Sequence, residues 1–426
     1  MAIKIWYCMN KKWKALTSLS FFVFLVFYTR QHRKVVVKDA QLYPNATKIV
    51  FILTNQRSGS SFFGDLFNHN GKAFYLFEPL LPFRPSCENE EVQLQVLKNI
   101  SLCNFKNLTE KYTEAFLTQT RSSEPAGLCG KQGVCFSMNH APALNRYASL
   151  CNATRSKKLG TYSARTQSRL FDPKSHFCGF PLKTELWSQI CRQAELLAFK
   201  IIRVCSLASF KDIARHLTQK GYDVHIIELV RDPRAVVNSA MKLELSAKGI
   251  SRASNRLCDR LRTNFDLAEK GNVIDTESQF MKIQLSHARY MRVRYEDIAI
   301  DPIEGVKEIY NNIGLELPHD VKEWVDETSI NPLQKIKELQ TTVQNFAIPE
   351  SDRIRARIKL AKLLKESNNP YGTVRNSRQI ISKWRKQLSM DIIHQVQDKC
   401  KDVMDRLGYK LLHTTEELND LSIKLW

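Results

Sequence analysis

The sequence predicts an α/β fold: a central parallel sheet with helices on both faces. Three observations carry this. Short runs of apolar, β-branched residues recur, they alternate with stretches of helical periodicity, and the junctions between them carry turn residues. Strands that alternate with helices imply crossover connections, which make parallel sheets covered on both sides. The 426 residues are 43% hydrophobic and 25% charged. A core of ordinary size can therefore be buried, and wholesale disorder is excluded.

The elements follow in order. Residues 48–54, KIVFILT, form a buried strand that is short, β-branched and ended by polar residues. Gly59 and its neighbouring serines make a turn. A helix over 61–68 turns Phe62, Phe63, Leu66 and Phe67 inward, and residues 73–77 form a second strand stopped by Pro79. Residues 85–190 are irregular and rich in cysteine. Strands then fall at 197–204, 224–230 and 290–295. Helices fall at 209–219, from Pro233, and at 302–313; proline suits a first helical turn. The C-terminal quarter is helical near 320–327, 352–366, 378–388 and 391–407, and no internal repeat is present.

The net charge is +21. Residues 1–38 hold eight basic residues and no acidic one, so +13 remains on the rest. That excess points to an anionic partner, which charge alone does not identify. Residues 15–29, ALTSLSFFVFLVFYT, are uncharged and apolar. They are short for a span, but Trp13, Lys14 and Arg30 extend them at the interface. No small-x-small cleavage site follows, which favours an uncleaved signal anchor over a cleaved signal. Sequons at Asn45, Asn99, Asn107 and Asn152 all lie beyond this run. Ten of the eleven cysteines also follow it, six of them between 87 and 178, as in a disulfide-braced insertion in an oxidising lumen. No C-x2-C pair supports zinc. The expected organisation is a cytoplasmic tail (1–14), an anchor (15–29), a stem (30–47), a lumenal domain (48–410) and a C-terminal tail (411–426). Within the domain lie a glycosylated cysteine-rich insertion (85–190) and a basic helical insertion (331–370).

Two segments carry chemistry. In Asn55-Gln56-Arg57-Ser58-Gly59-Ser60-Ser61-Phe62, a glycine turn opens a helix and aims free backbone N–H groups at one point, an anion site for phosphate or phosphosulfate. The serine hydroxyls and Arg57 add donors. It is not a Walker A loop, which needs two glycines and a lysine. In Arg231-Asp232-Pro233-Arg234, with Ser239 two turns on, an arginine leaves another strand end toward the edge where such sheets bind ligands. Asp232 caps the helix or braces an arginine.

Together and in this order, the two segments resemble the 5′-phosphosulfate and 3′-phosphate motifs of Golgi carbohydrate sulfotransferases. Tyr75-Leu-Phe-Glu78-Pro79, Val293-Arg-Tyr295-Glu296-Asp297, Tyr371-Gly-Thr-Val-Arg375-Asn-Ser377, Lys383-Trp384-Arg385 and Leu407-Gly408-Tyr409 are similar to that family as well. The likeness is strongest to keratan-sulfate galactose and chondroitin 6-O-sulfotransferases. It implies a sulfotransferase-like, P-loop-type version of the fold behind the signal anchor, located in the Golgi membrane as a single-pass type II protein. It implies 3′-phosphoadenylyl sulfate (PAPS) as donor, with phosphosulfate on Gln56–Phe62, the 3′-phosphate on Arg231 to Arg234 and Ser239, and Arg375 closing over the nucleotide. No metal is needed where cations and amides take the charge.

Sulfuryl transfer rests on positioning and electrostatics, for which Arg57 is suited. A sugar hydroxyl needs a general base. Glu78 is the candidate, desolvated by Phe77 and Pro79, with His69 as a rival otherwise expected at the surface. Tyr295-Glu296-Asp297 is read as structural, holding Arg231 or Arg294. The expected acceptor is the 6-hydroxyl of galactose or N-acetylgalactosamine, with N-acetylglucosamine and an inactive glycan-binding protein as alternatives. Loops at 80–190 and 240–290 are expected to set that choice. The partners are a glycan or proteoglycan acceptor and a membrane, with a homodimer left open. Nucleic acid is disfavoured, because no recognition signature is present and lumenal sequons would be out of place. In the run 353–365, Ile354, Ile358, Ala361 and Leu364 form one stripe among six basic residues, a candidate track for an anionic glycan.

Overall fold

A computed structural model of the chain describes residues 47–80, 83, 90–108, 128–129, 133–137, 177–180, 188, 191–204, 206–241, 247–270, 274–275, 280–285, 287–368 and 373–426. The expected anchor at 15–29, and the sequons at Asn45 and Asn152, lie outside these residues. Among the described residues no helix is long and apolar enough to cross a membrane.

The run KIVFILT forms β1 (Lys48–Thr54), followed by α1 (Ser60–Asn68) and β2 (Ala73–Phe77). After α2 (Glu90–Ser101) come β3 (Leu196–Ile201), α3 (Phe210–Thr218), β4 (Asp223–Val230) and α4 (Pro233–Met241). Then follow α5 (Ala247–Glu269), β5 (Ile274–Asp275), β6 (Met281–Leu285) and β7 (Ala288–Arg294). The sheet order is β2-β3-β1-β4-β7-β6-β5. The first five strands are parallel, and β6 and β5 pair antiparallel at one edge. A separate antiparallel sheet joins Leu128–Cys129, Gly133–Ser137 and Phe177–Phe180.

β1 is apolar throughout because both its faces are covered. Ile49, Phe51 and Leu53 pack into one core with α2 and α3. Val50 and Ile52 pack into the other with Phe63, Leu66 and Phe67 of α1. The period of two thus feeds two cores from one strand. In register, Thr54 lies opposite Leu229 of β4, so β1 and β4 end together on one edge.

Five expectations are corrected. The strand expected to reach 204 ends at Ile201, and Tyr295 opens α6 (Tyr295–Ile300) instead of ending β7. The expected loop region 240–290 holds the 23-residue α5. Its inward positions include Ser254 and Asn264 beside Ile250, Leu257, Leu261 and Phe265, and these polar residues masked the helical period. Residues 411–426 are not a loose tail: Leu412, Leu418 and Leu425 are buried, and the Arg385 guanidinium donates to the carbonyls of Glu417, Leu418, Asp420 and Ile423. Asn99 is only 8% exposed within α2, which leaves no room for a glycan, whereas Asn107 is exposed.

Beyond α7 (Pro302–Asn312) and α8 (His319–Val325), a π-helical turn spans Asp326–Ile330. The basic insertion is a helical hairpin, α9 (Pro332–Gln344) and α10 (Glu350–Asn368), of which only the second helix was expected. Its packed stripe is Ala356, Leu360 and Leu363 against Ile336, Leu339 and Val374. Ile354 and Leu364 face solvent instead. α11 (Ser377–Ile381) and a 3-10 turn (Lys383–Lys386) divide what was expected as one helix, and α12 (Met390–Arg406) and α13 (Thr415–Asn419) follow.

Two disulfides brace the described residues. Cys103–Cys191 ties the end of α2 to the approach to β3, and Cys258–Cys400 ties α5 to α12. The second closes 142 residues, so its loss frees a large unfolded ensemble. Replacing both Cys258 and Cys400 by Ser is expected to lower stability by about 2–5 kcal/mol in urea titrations.

Candidate functional site

The site is assembled where β1, β4 and β7 end. Thr54 Oγ1 donates to Leu229 O at 3.1 Å and so locks the two strand ends together. Arg260 of α5 donates to Thr54 O and Ile202 O, at 3.3 and 3.0 Å. From this fixed end the chain turns through Arg57 and Gly59, both with positive φ, at 67° and 85°. It enters α1 with no side chain capping the helix. The first N–H groups of α1 are therefore available to an anion, reinforced by the helix dipole. Gly59 is required twice over. Its φ lies where glycine is favoured, and a Cβ there would sit 2.4 Å from the Tyr295 ring.

The two sequence segments meet here. Arg57 Nε donates to Ser239 Oγ at 2.9 Å, and an Arg231 terminal nitrogen donates to Arg57 O at 3.2 Å. The Arg231 guanidinium also lies over the Tyr295 ring, 4.7 Å from its centre. One cavity is lined by Arg57, Gly59, Ser60, Ser61, Phe62, Arg231 and Ser239 from these segments. Asn238, Tyr295, Ser329, Thr373, Arg375, Ser377, Lys383 and Trp384 also line it. Its described lining contains four cations and no carboxylate. It is built for an anion carrying more than one negative charge.

Other expected residues stand behind this surface. Ser58 is buried and Gln56 is exposed, and neither is among the described lining residues. Pro233 occupies the first turn of α4. Arg234 is corrected: it is fully buried, donates to Asp232, Gln397 and Lys410 O, and stacks on Trp384 at 4.6 Å. Its donors are spent on the fold, so it offers none to a ligand. Asp232 braces it at 2.8 Å, and the Asp232 N–H donates to Glu296. Glu296 is fully buried, accepts from the Tyr409 hydroxyl at 2.6 Å, and has its pKa pushed up to about 6 by burial. Asp297 holds Arg294 at 2.7 Å.

Glu78 is also corrected in its surroundings. Its backbone has a positive φ of 43°. Its carboxylate is paired with Lys200 at 3.2 Å and Arg203 at 2.6 Å, so two cations surround it in place of an apolar pocket. It is not among the described residues lining the cavity. His69 is buried, not superficial: it is 5% exposed and stacked on Trp324 at 4.4 Å. Ser329 had no sequence signal, because a π-helical turn brings it to the cavity. Lys383 and Trp384 were visible as a motif but had no assigned role.

The sulfotransferase domain family model matches residues 47–408. Carbohydrate sulfotransferase 3 of Rattus norvegicus is 26% identical over 395 residues, covering 88% of this chain and 70% of its own length. Carbohydrate sulfotransferase 1 of Danio rerio is 27% identical over 390 residues, covering 88% and 81%. Among solved structures, the sulfotransferase domain from the Synechococcus PCC 7002 olefin synthase is 16% identical, with 88% of this chain and 99% of that one covered at a TM-score of 0.37.

Gly59→Ala meets both the positive φ and the Tyr295 ring, and is expected to destabilise the chain by about 1–3 kcal/mol in denaturant titrations. Glu296 gives a pH signature. Its carboxyl titrates higher in the folded chain, so its contribution is complete below pH 4.5 and is lost as pH rises through about 6. Glu296→Gln is expected to flatten that part of the stability profile by roughly 2 kcal/mol.

Proposed function

The chain belongs to the sulfotransferase domain family, and on that premise we propose that it transfers the sulfuryl group of PAPS to the 6-hydroxyl of galactose or N-acetylgalactosamine in keratan- or chondroitin-type glycans. The observation that carries the donor reading is the cavity with Arg57, Arg231, Arg375 and Lys383 on its walls and no carboxylate among its described lining residues. PAPS supplies an activated sulfuryl group and several anionic oxygens, which suits that lining.

Arg57 and the free N–H groups at the start of α1 hold the phosphosulfate, with Ser60 and Ser61 adding hydroxyl donors. Arg231 and Ser239 hold the 3′-phosphate, and Arg375 covers the nucleotide. Negative charge spreads over the sulfuryl oxygens in the transition state, and Arg57 with these amides stabilises it without reorganising. Asp232, Pro233 and Arg234 act indirectly by fixing the start of α4. Glu78 is the proposed base. Lys200 and Arg203 orient its two oxygens, and one pair opens toward the acceptor for the hydroxyl proton to be taken. The anchor at 15–29 and the sequons at Asn45, Asn107 and Asn152 favour a lumenal body in the Golgi membrane, where glycans are the acceptors.

The test offers labelled PAPS with keratan, chondroitin and N-acetylglucosamine-terminated acceptors and locates the sulfate by digestion. Label on a galactose or N-acetylgalactosamine 6-hydroxyl is expected, and label on another position overturns the acceptor assignment. Arg57→Ala and Arg231→Ala are each expected to lower kcat/KM by about 10²–10³-fold. Glu78→Gln is expected to lower kcat by roughly 10²–10⁴-fold while donor binding survives. Loss of donor binding together with loss of folded protein would instead make the Lys200–Glu78–Arg203 cluster purely structural.

A further inference from the structure

β1 and β3 pair as neighbours, and each leads into one half of the proposed chemistry. After β1 the chain runs from Thr54 to the turn at Arg57 and Gly59, which holds the phosphosulfate in that reading. After β3 it runs through Ile202 to Arg203, which with Lys200 of β3 grips the Glu78 carboxylate. The last pair between the two strands is Leu53 opposite Ile201. One residue further on, Arg260 of α5 takes over. One of its terminal nitrogens donates to Ile202 O at 3.0 Å, and the other donates to Thr54 O at 3.3 Å. A planar, rigid fork thus bridges the two chains where the strand ladder has stopped.

Arginine is a costly residue at this place. Among the described residues no carboxylate forms an ion pair with Arg260, and its buried Nε has no hydrogen-bond partner. Burial holds its pKa below the usual arginine value, against a smaller pull from Glu228. Burying a cation this way is unfavourable, and a single carbonyl would be served by a neutral donor. Two carbonyls on two chains need two N–H groups at a fixed separation, which the guanidinium supplies. Arg260 is not among the described residues lining the cavity, so it reaches the reaction through the backbone it holds. Asn264, one turn along α5, continues the row. It accepts from the Leu207 N–H at 2.8 Å and donates to Glu228 of β4 at 2.6 Å. Thr54 bonds to Leu229 O on its other side. The ends of β3, β1 and β4 are therefore tied in one line, with Arg260 between the Glu78 side and the donor side.

On the reading of Glu78 as the base and of the Arg57 turn as the sulfuryl site, we propose that Arg260 is a positioning residue. By bridging Thr54 O and Ile202 O it fixes the distance between the phosphosulfate turn and Glu78. In-line transfer needs the acceptor hydroxyl held between the two, its proton against Glu78 and its oxygen facing the sulfur. A misplacement of about 1 Å costs on the order of 10²-fold in rate. A shift of Ile202 moves Arg203, and with it the carboxylate that Arg203 holds.

The full chain is assayed with labelled PAPS and whichever of the acceptors named above the parent sulfates, and PAPS binding is measured separately by calorimetry. Arg260→Lys keeps the charge but reaches only one carbonyl at a time. It is expected to lower kcat by about 10–10²-fold, with the Kd for PAPS within about twofold of the parent. Because Arg260 acts through Glu78, adding Arg260→Lys to Glu78→Gln is expected to lower kcat by less than about threefold more. A parent-like kcat in Arg260→Lys overturns the proposal, because the charge alone then suffices. A loss that multiplies in full in the double variant also overturns it, because the arginine then acts apart from Glu78. Loss of PAPS binding alongside kcat overturns it in favour of a purely structural role. Glu78→Gln with a parent-like kcat removes the base assignment itself. That result is read from the single variant alone, so the two failures are told apart.

Discussion

The contact between Gly59 and the Tyr295 ring is the constraint on which the site depends. It brings the turn after β1 against the junction of β7 and α6, two segments far apart in sequence. With no Cβ at 59, the ring closes onto the turn, and its face is left for the Arg231 guanidinium at 4.7 Å. Arg231 in turn donates to Arg57 O, and Arg57 to Ser239. Remove the close approach and Arg231 loses its platform. The positive φ values at Arg57 and Gly59 are strain accepted at a functional turn.

Behind that surface lies a layer of buried polar groups that never reach the cavity. Glu296 joins the Asp232 N–H to the Tyr409 hydroxyl, and Asp232 holds Arg234 against Trp384. Each member is paired, as burial requires. This layer fixes the start of α4, and with it Arg231 and Ser239. Trp384 touches both the buried layer and the cavity, so the C-terminal segments contribute to the site through it.

Much of this was legible in the sequence for a physical reason. β1 is apolar on both faces and β4 is broken only by the buried His225 and Glu228, so their runs stand out, and each is followed at once by a turn that must serve a helix start. Local order therefore announced Arg57, Gly59, Arg231 and Ser239. Long-range packing did not announce itself. Arg234 has the same residue type and neighbourhood as Arg231, yet faces inward, and only the positions of Gln397 and Trp384 decide that. α5 hid behind Ser254 and Asn264, whose polar side chains occupy inward positions because they bond inside: Asn264 donates to Glu228, and Ser254 to Ile250 O. The hairpin showed the opposite failure. Its most visible apolar stripe is the one that faces out.

The Cys103–Cys191 bond has a consequence for how such a chain can diversify. Its Cα atoms are 5.4 Å apart, although the residues are 88 positions apart in sequence. The two ends of the stretch between them are therefore held side by side, and Phe105 and Ser188 within it still pack against the body. Length added between Asn107 and Ser188 leaves the two ends of the bond where they are. Loop-closure entropy also grows only slowly with length. A chain held this way can vary in length between these ends while β3 and the turn after β1 keep their register.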